Sequence, residues 1–425
     1  MMKLATGALI GKLITLAALP VITRLYGPDA FGVMGIFVAA TTIIIPVVTL
    51  QFNHALPIPR RDGLAANIAV LALLCIFTMT ALLSAALGLF GAQILALLDA
   101  EPLISLAWAI PLAAMLVGIS SVATMWQTRH RRYGSLTVGS AFESAIGNGL
   151  KIALGLVSPG PHGLIIGQSL QMSGRFILFL PAVTRDILAK RHRIDPGRLL
   201  QAAKSFARFP LYRTPAQFIG AMGMKAPILF IAFTFGAETA GQFALAMMAV
   251  TMPITLIGSK IGKAFYAETA HIGRKNTDDI LIAMHQMVRT LLLCGIVMAA
   301  CVAVAAPSLF PLIFGEDWSK AGAFTAALSM MLAGRLAFSP LMMVLSTFRE
   351  ELTYLIIDIQ RTALTAAVFI AAWLAPLSAV EAVAAYSIAM FLHMAVSGWL
   401  IFRVVRRSCV DQPHETSAIS SGETR

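Results

Sequence analysis

Long apolar stretches broken by short polar interruptions run through this chain from one end to the other. A bilayer core takes about 20 mostly apolar residues per helix. Cuts at charge clusters and turn residues predict twelve such helices, near residues 4–23, 31–55, 64–90, 103–126, 134–157, 163–184, 210–234, 240–263, 281–306, 321–346, 353–374 and 379–402. The pattern predicts an all-α polytopic membrane protein.

Composition narrows this further. Of 425 residues, 58% are hydrophobic and 12% charged, where soluble domains carry about 25% charged residues. Polar side chains are too few to cover a soluble globule of this length. The four cysteines (Cys75, Cys294, Cys301, Cys409) form no CxxC or Cys/His pattern, so their spacing supports neither a metal site nor a disulfide. The opening MMKLATG leads into an apolar run without a small-residue cleavage site, which reads as a retained first helix.

The formal net charge of +12 acquires meaning once it is placed on a topology. Lys and Arg accumulate on cytoplasmic loops. With the N-terminus inside, those loops hold Lys3, Arg60, Arg61, Arg129, Arg131, Arg132, the stretch from Arg185 to Arg208, Lys263, Arg274, Lys275, Arg349, Arg403, Arg406 and Arg407. The opposite loops hold Arg24 and Lys320 beside the acids Asp29, Asp99, Glu101, Glu238, Glu316 and Asp317. Both termini are expected in the cytoplasm. The chain then divides into an N-terminal six-helix half (1–184), a basic cytoplasmic linker (185–209), a C-terminal six-helix half (210–403) and a polar tail (404–425). The linker, RDILAKRHRIDPGRLLQAAKSFAR, suits a loop beside anionic headgroups better than a nucleic-acid surface. The last residues, from Asp411, are polar and apolar-poor, as in disordered segments.

One short segment occurs twice. RLYGPDAFGVMGIFVAATTIIIP begins at Arg24, and TFGAETAGQFALAMMAVTMP begins at Thr234. Gly27 matches Gly236, Asp29 matches Glu238, Gly32 matches Gly241, and a proline follows inside each helix, Pro46 and Pro253. Each copy falls in the first outward turn of a six-helix half. An even number of helices per half gives both the same orientation, which predicts a parallel repeat of the kind found in secondary transporters. Pro28 suits a first helical position, an acid there suits the helix dipole, and the glycines allow close helix approach. Pro46 and Pro253 interrupt the hydrogen-bond ladder at mid-membrane depth, either lining a pathway or forming an inert kink.

RLYGPDAFG with its long apolar helix resembles the start of the polysaccharide (Wzx-type) flippases. These belong to the superfamily that also holds multidrug extruders and the peptidoglycan lipid flippase. ALPIPRRDGLAANI from Ala55, FPLYRTPAQFIGAMGMKAPILF from Phe209, AGQFALAMMAVTMPITLIG from Ala240 and PLIFGEDWSKAG from Pro311 are similar to further stretches of that family. The likeness spans most of residues 1–350. Many members carry Arg-Tyr-Glu at the end of helix two, where this chain has Gln51-Phe52-Asn53, so no charged role carries over to that place. The resemblance implies a multi-pass protein of the bacterial inner membrane. It would flip an undecaprenyl-diphosphate-linked oligosaccharide for O-antigen, capsule or exopolysaccharide synthesis, with polysaccharide-assembly proteins as further candidate partners.

Ionisable residues inside a membrane are costly, roughly 2.5–3.5 kcal/mol each at a helix centre, and so are functional candidates by default. The basic ones are Lys12, Lys151, Arg175, Arg213, Lys225, Lys260, Arg289, Arg335 and Arg361. Arg213, Lys260 and Arg289 lie nearer the cytoplasmic ends, where they can snorkel. Only Glu143 and Asp358 stand against them, and Asp358 and Arg361 share a helix face. Each charge lines a cavity, pairs, or snorkels. The surplus leaves a cationic interior suited to an anionic cargo, with Lys12, Arg24, Arg175, Lys225, Arg335 and Arg361 as candidate substrate-binding residues. Glu143 and Asp358 are candidates for H+ or Na+ coupling, and Gly32, Pro46, Gly241 and Pro253 for hinges.

No GxxxxGK[ST] occurs, so turnover is expected to draw on an ion gradient or the membrane potential. The same fold carrying drugs or another lipid is the alternative. A membrane enzyme of the same pathway fits less well, because the outward loops are short and hold no acid/base constellation. No catalytic residue is assigned, and His130, His162, His271 and His285 are read as incidental.

Overall fold

The computed structural model describes residues 2–97, 107–258, 261–262, 264–265, 268–269, 277–348 and 350–410. Asp99, Glu101, Lys260, Lys263, His271, Arg274, Lys275, Arg349 and the tail from Asp411 lie outside these residues, as do the side chains of Lys3, Arg407 and Cys409. Every regular element among the described residues is helical.

The helices follow in chain order: α1 Met2–Leu25, α2 Pro28–Thr49, α3 Asp62–Leu97, α4 Ala109–Arg129 and α5 Tyr133–Val157. Next comes α6, bent by 41° between Pro161–Ser173 and Arg175–Leu188. The run Thr214–Pro253 breaks at Gly236 into α7 (214–235) and α8 (237–253). Then follow α9 Thr277–Phe314, α10, bent by 46° between Glu316–Ala327 and Ser329–Leu345, α11 Glu351–Leu374 and α12 Ala379–Val410. Among the described residues eight helices are long and apolar enough to cross a membrane, ten when each bent pair is one span. The Gly236 break divides one of the eight. Tyr133–Val157, at 25 residues, is long enough but falls outside this set, carrying Glu143, Asn148 and Lys151. One described helix thus answers each predicted span.

Local chemistry explains the ends. Pro28 opens α2 at a position that needs no N–H donor. Leu50 and Gln51 adopt left-handed backbone and stop it, and Phe52–Ala55 continues as a single 3₁₀ turn. The predicted span 31–55 is therefore α-helical only to Thr49. Gly236, at φ +85°, takes the conformation that turns α7 into α8. Past Pro253 the backbone widens into a π-turn over Ile254–Gly258, because proline cannot donate to the α-helical ladder.

Contacts group the chain into two compact units, Met1–Leu245 with Leu309–Ala321, and Ala246–Ser308 with Gly322–Arg425. In the first, Phe52, Leu56, Ile68, Val122, Trp126 and Phe179 form a core between α3, α4 and the end of α6. The basic linker is ordered against this core. Asp62 pairs with Arg129 at 2.9 Å and with Lys190 at 3.1 Å. Asn67 donates to the Arg193 carbonyl at 2.9 Å. Asp195 caps a short helix, Pro196–Ser205, whose Ala202 is buried. In the second unit Ile280, Met284, Leu341, Val344, Ile357, Ile401 and Val405 pack together. Large apolar side chains such as Leu82, Leu89, Val297 and Val304 face outward, as a lipid-facing surface requires.

Candidate functional site

The twice-occurring segment meets itself. A Cβ added at Gly32 would fall on the carbonyl oxygen of Ala237, and one at Gly241 would fall on that of Pro28. Gly35 faces Ala244, its own counterpart in the other copy. Each residue touches the counterpart of the residue that touches it, which is the signature of a two-fold contact. The glycines thus hold two helix starts at backbone contact.

Side chains lock the same place. Gln242 donates to the Asp317 carbonyl at 2.5 Å and accepts from the Ala321 N–H at 2.9 Å. Trp318 is buried, donates to the Thr23 carbonyl at 3.0 Å, and meets Phe31 edge-on at 4.9 Å. Lys320 pairs with Glu238 at 3.3 Å beside a cleft of about 460 Å³ that also presents Asp29, Glu316 and Asp317. Arg24 is exposed and donates to the Leu312 carbonyl at 3.3 Å. Gln242→Ala removes a buried hydrogen bond from the Ala321 N–H and a half-buried one to the Asp317 carbonyl. It is expected to lower stability by about 1–3 kcal/mol, read as a fall in thermal unfolding temperature in detergent.

A second polar cluster lies between α1, α5 and α6. Lys151, 5% exposed, donates to Gln168 Oε1 at 2.6 Å and Gln171 Oε1 at 2.5 Å. Asn148 and Gln171 both donate to Thr15 Oγ1 at 3.0 Å, and the Tyr26 hydroxyl donates to the Lys151 carbonyl at 2.7 Å. The ammonium is satisfied by neutral oxygens and meets no carboxylate here. Glu143 is occupied by Arg175 at 2.5 Å. Lys151→Met leaves both glutamine oxygens without their donor. A loss of about 1–2 kcal/mol is expected, from half-buried acceptors left without a donor, and unfolding monitored by intrinsic fluorescence measures it.

The third cluster lies within the second unit. A pocket of about 330 Å³ is lined by Arg335 and Ser339 of α10, Tyr354, Asp358 and Arg361 of α11, and His393 of α12, with Met342, Met343 and Met394 as its apolar wall. Arg361 pairs with Asp358 at 3.0 Å. Arg335 makes no ion pair or hydrogen bond among the described residues.

The remaining candidates are dispersed. Lys225, half-buried on α7, makes no ion pair or hydrogen bond among the described residues. Lys12 is half-buried on α1 and engaged with other groups of the chain. Arg213 and Arg289 are exposed, Arg213 over the Phe209 ring at 5.8 Å. Pro46 is buried within α2, and Pro253 ends α8. Among the described residues no group of His, Cys, Asp and Glu is placed to hold a metal ion. His393, overlooked among the histidines, had one available signal: it is a lone ionisable residue in the apolar run AMFLHMAVSG.

The arrangement of helices is similar to that of several solved transporter structures. The inward-closed lipid II flippase MurJ superposes with a TM-score of 0.72 at 11% identity, covering 96% of this chain and 90% of that one. An inward-facing multidrug resistance MATE family transporter gives 0.63 at 16% identity, with 96% and 93% covered. A MOP superfamily transporter from Pyrococcus furiosus gives 0.58 at 14%, with 96% and 94% covered. No curated protein matches the sequence. The family model for polysaccharide biosynthesis proteins matches residues 21–323, and the chain belongs to that family.

Proposed function

We propose that this chain flips an undecaprenyl-diphosphate-linked oligosaccharide from the cytoplasmic to the outer leaflet of a bacterial inner membrane, with both termini inside. The observation that carries the reading is the charge balance of the interior. Its two candidate carboxylates are already taken, Glu143 by Arg175 and Asp358 by Arg361. Lys151, Lys225 and Arg335 remain without a carboxylate among the described residues. Such an interior favours an anionic diphosphate and disfavours organic cations.

The protein acts by transport and not by catalysis. Access alternates as the Gly32 and Gly241 turns meet in one state and part in the other, driven by H+ or Na+. Deleting the gene tests this. Surface polysaccharide is expected to be lost while lipid-linked glycan accumulates on the inner leaflet. Loss without accumulation would sink the reading, and saturable efflux of a cationic dye dependent on Glu143 would replace it with a multidrug exporter.

A further inference from the structure

His393 is a buried titratable group that the transport reading leaves unused. It is 8% exposed, and neither ring nitrogen has a hydrogen-bond partner. The Ile357 carbonyl approaches it without closing a bond of ordinary geometry. A buried imidazole without partners loses its hydration and gains nothing in return, so it needs an explanation. The cavity it lines supplies one.

From α10 the pocket receives Arg335, and from α11 it receives Tyr354, Asp358 and Arg361. The Met342–Phe348 segment at the end of α10 brings no charged side chain. Two guanidiniums face a single carboxylate. Asp358 engages Arg361 through one oxygen and one nitrogen, which leaves most of that guanidinium fork open. The pocket therefore holds one uncompensated positive charge while His393 is neutral. Protonating the ring would add a second. An oxyanion in the pocket reverses the balance. It neutralises the arginines, and it gives the imidazolium an acceptor for an N–H that otherwise has none.

We propose that this pocket is an oxyanion site that takes up a proton on His393 together with its ligand. Anion affinity rises as pH falls, and by linkage anion binding draws a proton onto the ring. A free oxyanion and the carboxylate of an acidic sugar share the chemistry the pocket recognises. Only the sugar as a source rests on the transport reading above. A pocket of this volume admits a sulfate or one sugar ring with its carboxylate.

The test is calorimetric, on the full chain purified in detergent, with sodium sulfate and sodium glucuronate as probes. Neither probe changes its own charge appreciably between about pH 5.5 and pH 7.5, so pH dependence reports the protein, with His the side chain that titrates there. Titrations in two buffers of different ionisation enthalpy count protons. Binding roughly tenfold tighter at the lower pH is expected, a typical size for coupling between two ligands, with net proton uptake. His393→Gln is expected to keep the affinity seen at the higher pH and lose both the pH dependence and the uptake. Arg335→Gln is expected to lose binding at both. Binding of both probes supports the site with any oxyanion sufficing, and glucuronate alone supports it with the sugar as source. Failure of both to bind overturns the proposal, as does pH dependence that survives in His393→Gln. Because the readout is binding, it stands or falls separately from flipping.

Discussion

Gly241→Val is expected to abolish surface polysaccharide production while leaving a full-length, membrane-inserted protein. The first added atom would fall on the Pro28 carbonyl oxygen and press on the Gly32 backbone nitrogen, so rotation of the new side chain brings no relief. Overpacking of this kind costs about 1–3 kcal/mol where the neighbour is flexible, and occasionally more. Here the neighbours are backbone, and the shift against the closed arrangement is roughly ten- to a hundredfold. Gly32→Val, which strikes the Ala237 carbonyl, is expected to behave the same way. Cross-linking separates a gating defect from misfolding. Asp29 and Glu238 border one cleft. In a background with Cys75, Cys294, Cys301 and Cys409 replaced, cysteines at both positions should be bridged by a short bismaleimide. The Gly241→Val variant should lose that bridge. Retained bridging with full activity would remove the glycine contact from the mechanism.

Replacing either arginine of the second-unit pocket should stop flipping, but with different consequences for stability. Arg335 has no carboxylate to abandon, so Arg335→Gln is expected to leave the unfolding temperature near that of the native chain. Arg361→Gln strips Asp358 of its partner at 3.0 Å. Breaking a buried pair from one side costs about 3–5 kcal/mol, so with the pair here partly exposed the loss should fall below that. Adding Asp358→Asn should recover most of the stability and none of the transport. The two effects are read in the same cells, by unfolding of purified protein and by complementation of a deletion strain. Full complementation by Arg335→Gln would refute a role for that positive charge.

Much of this architecture is written in the apolar runs. Helix number, the Gly236 break and the equivalence of the two glycine turns all follow from pattern and repeat. That the turns touch each other was not legible, since equivalence in sequence carries no contact information. The Asp358–Arg361 pair was legible because three residues along a helix place two side chains on one face. Glu143 and Arg175 sit on different helices, and no spacing rule joins them. The linker helix shows the opposite failure. Asp195-Pro196 is a readable cap and first position, but the surrounding charges drew attention to headgroups instead. His393 was hidden by its own context, a single imidazole among Met, Phe and Leu whose meaning depends on which helices face it.

The most direct measurement is leaflet exchange by the purified chain itself. Proteoliposomes would be loaded with a polyprenyl-diphosphate-linked oligosaccharide, and a membrane-impermeant glycosidase would report the fraction on the outer face. With the native chain and an imposed ion gradient, the inaccessible fraction should become accessible, and with Arg335→Gln it should not. Equal accessibility in native, Arg335→Gln and protein-free vesicles would contradict the claim that this protein moves a lipid-linked glycan.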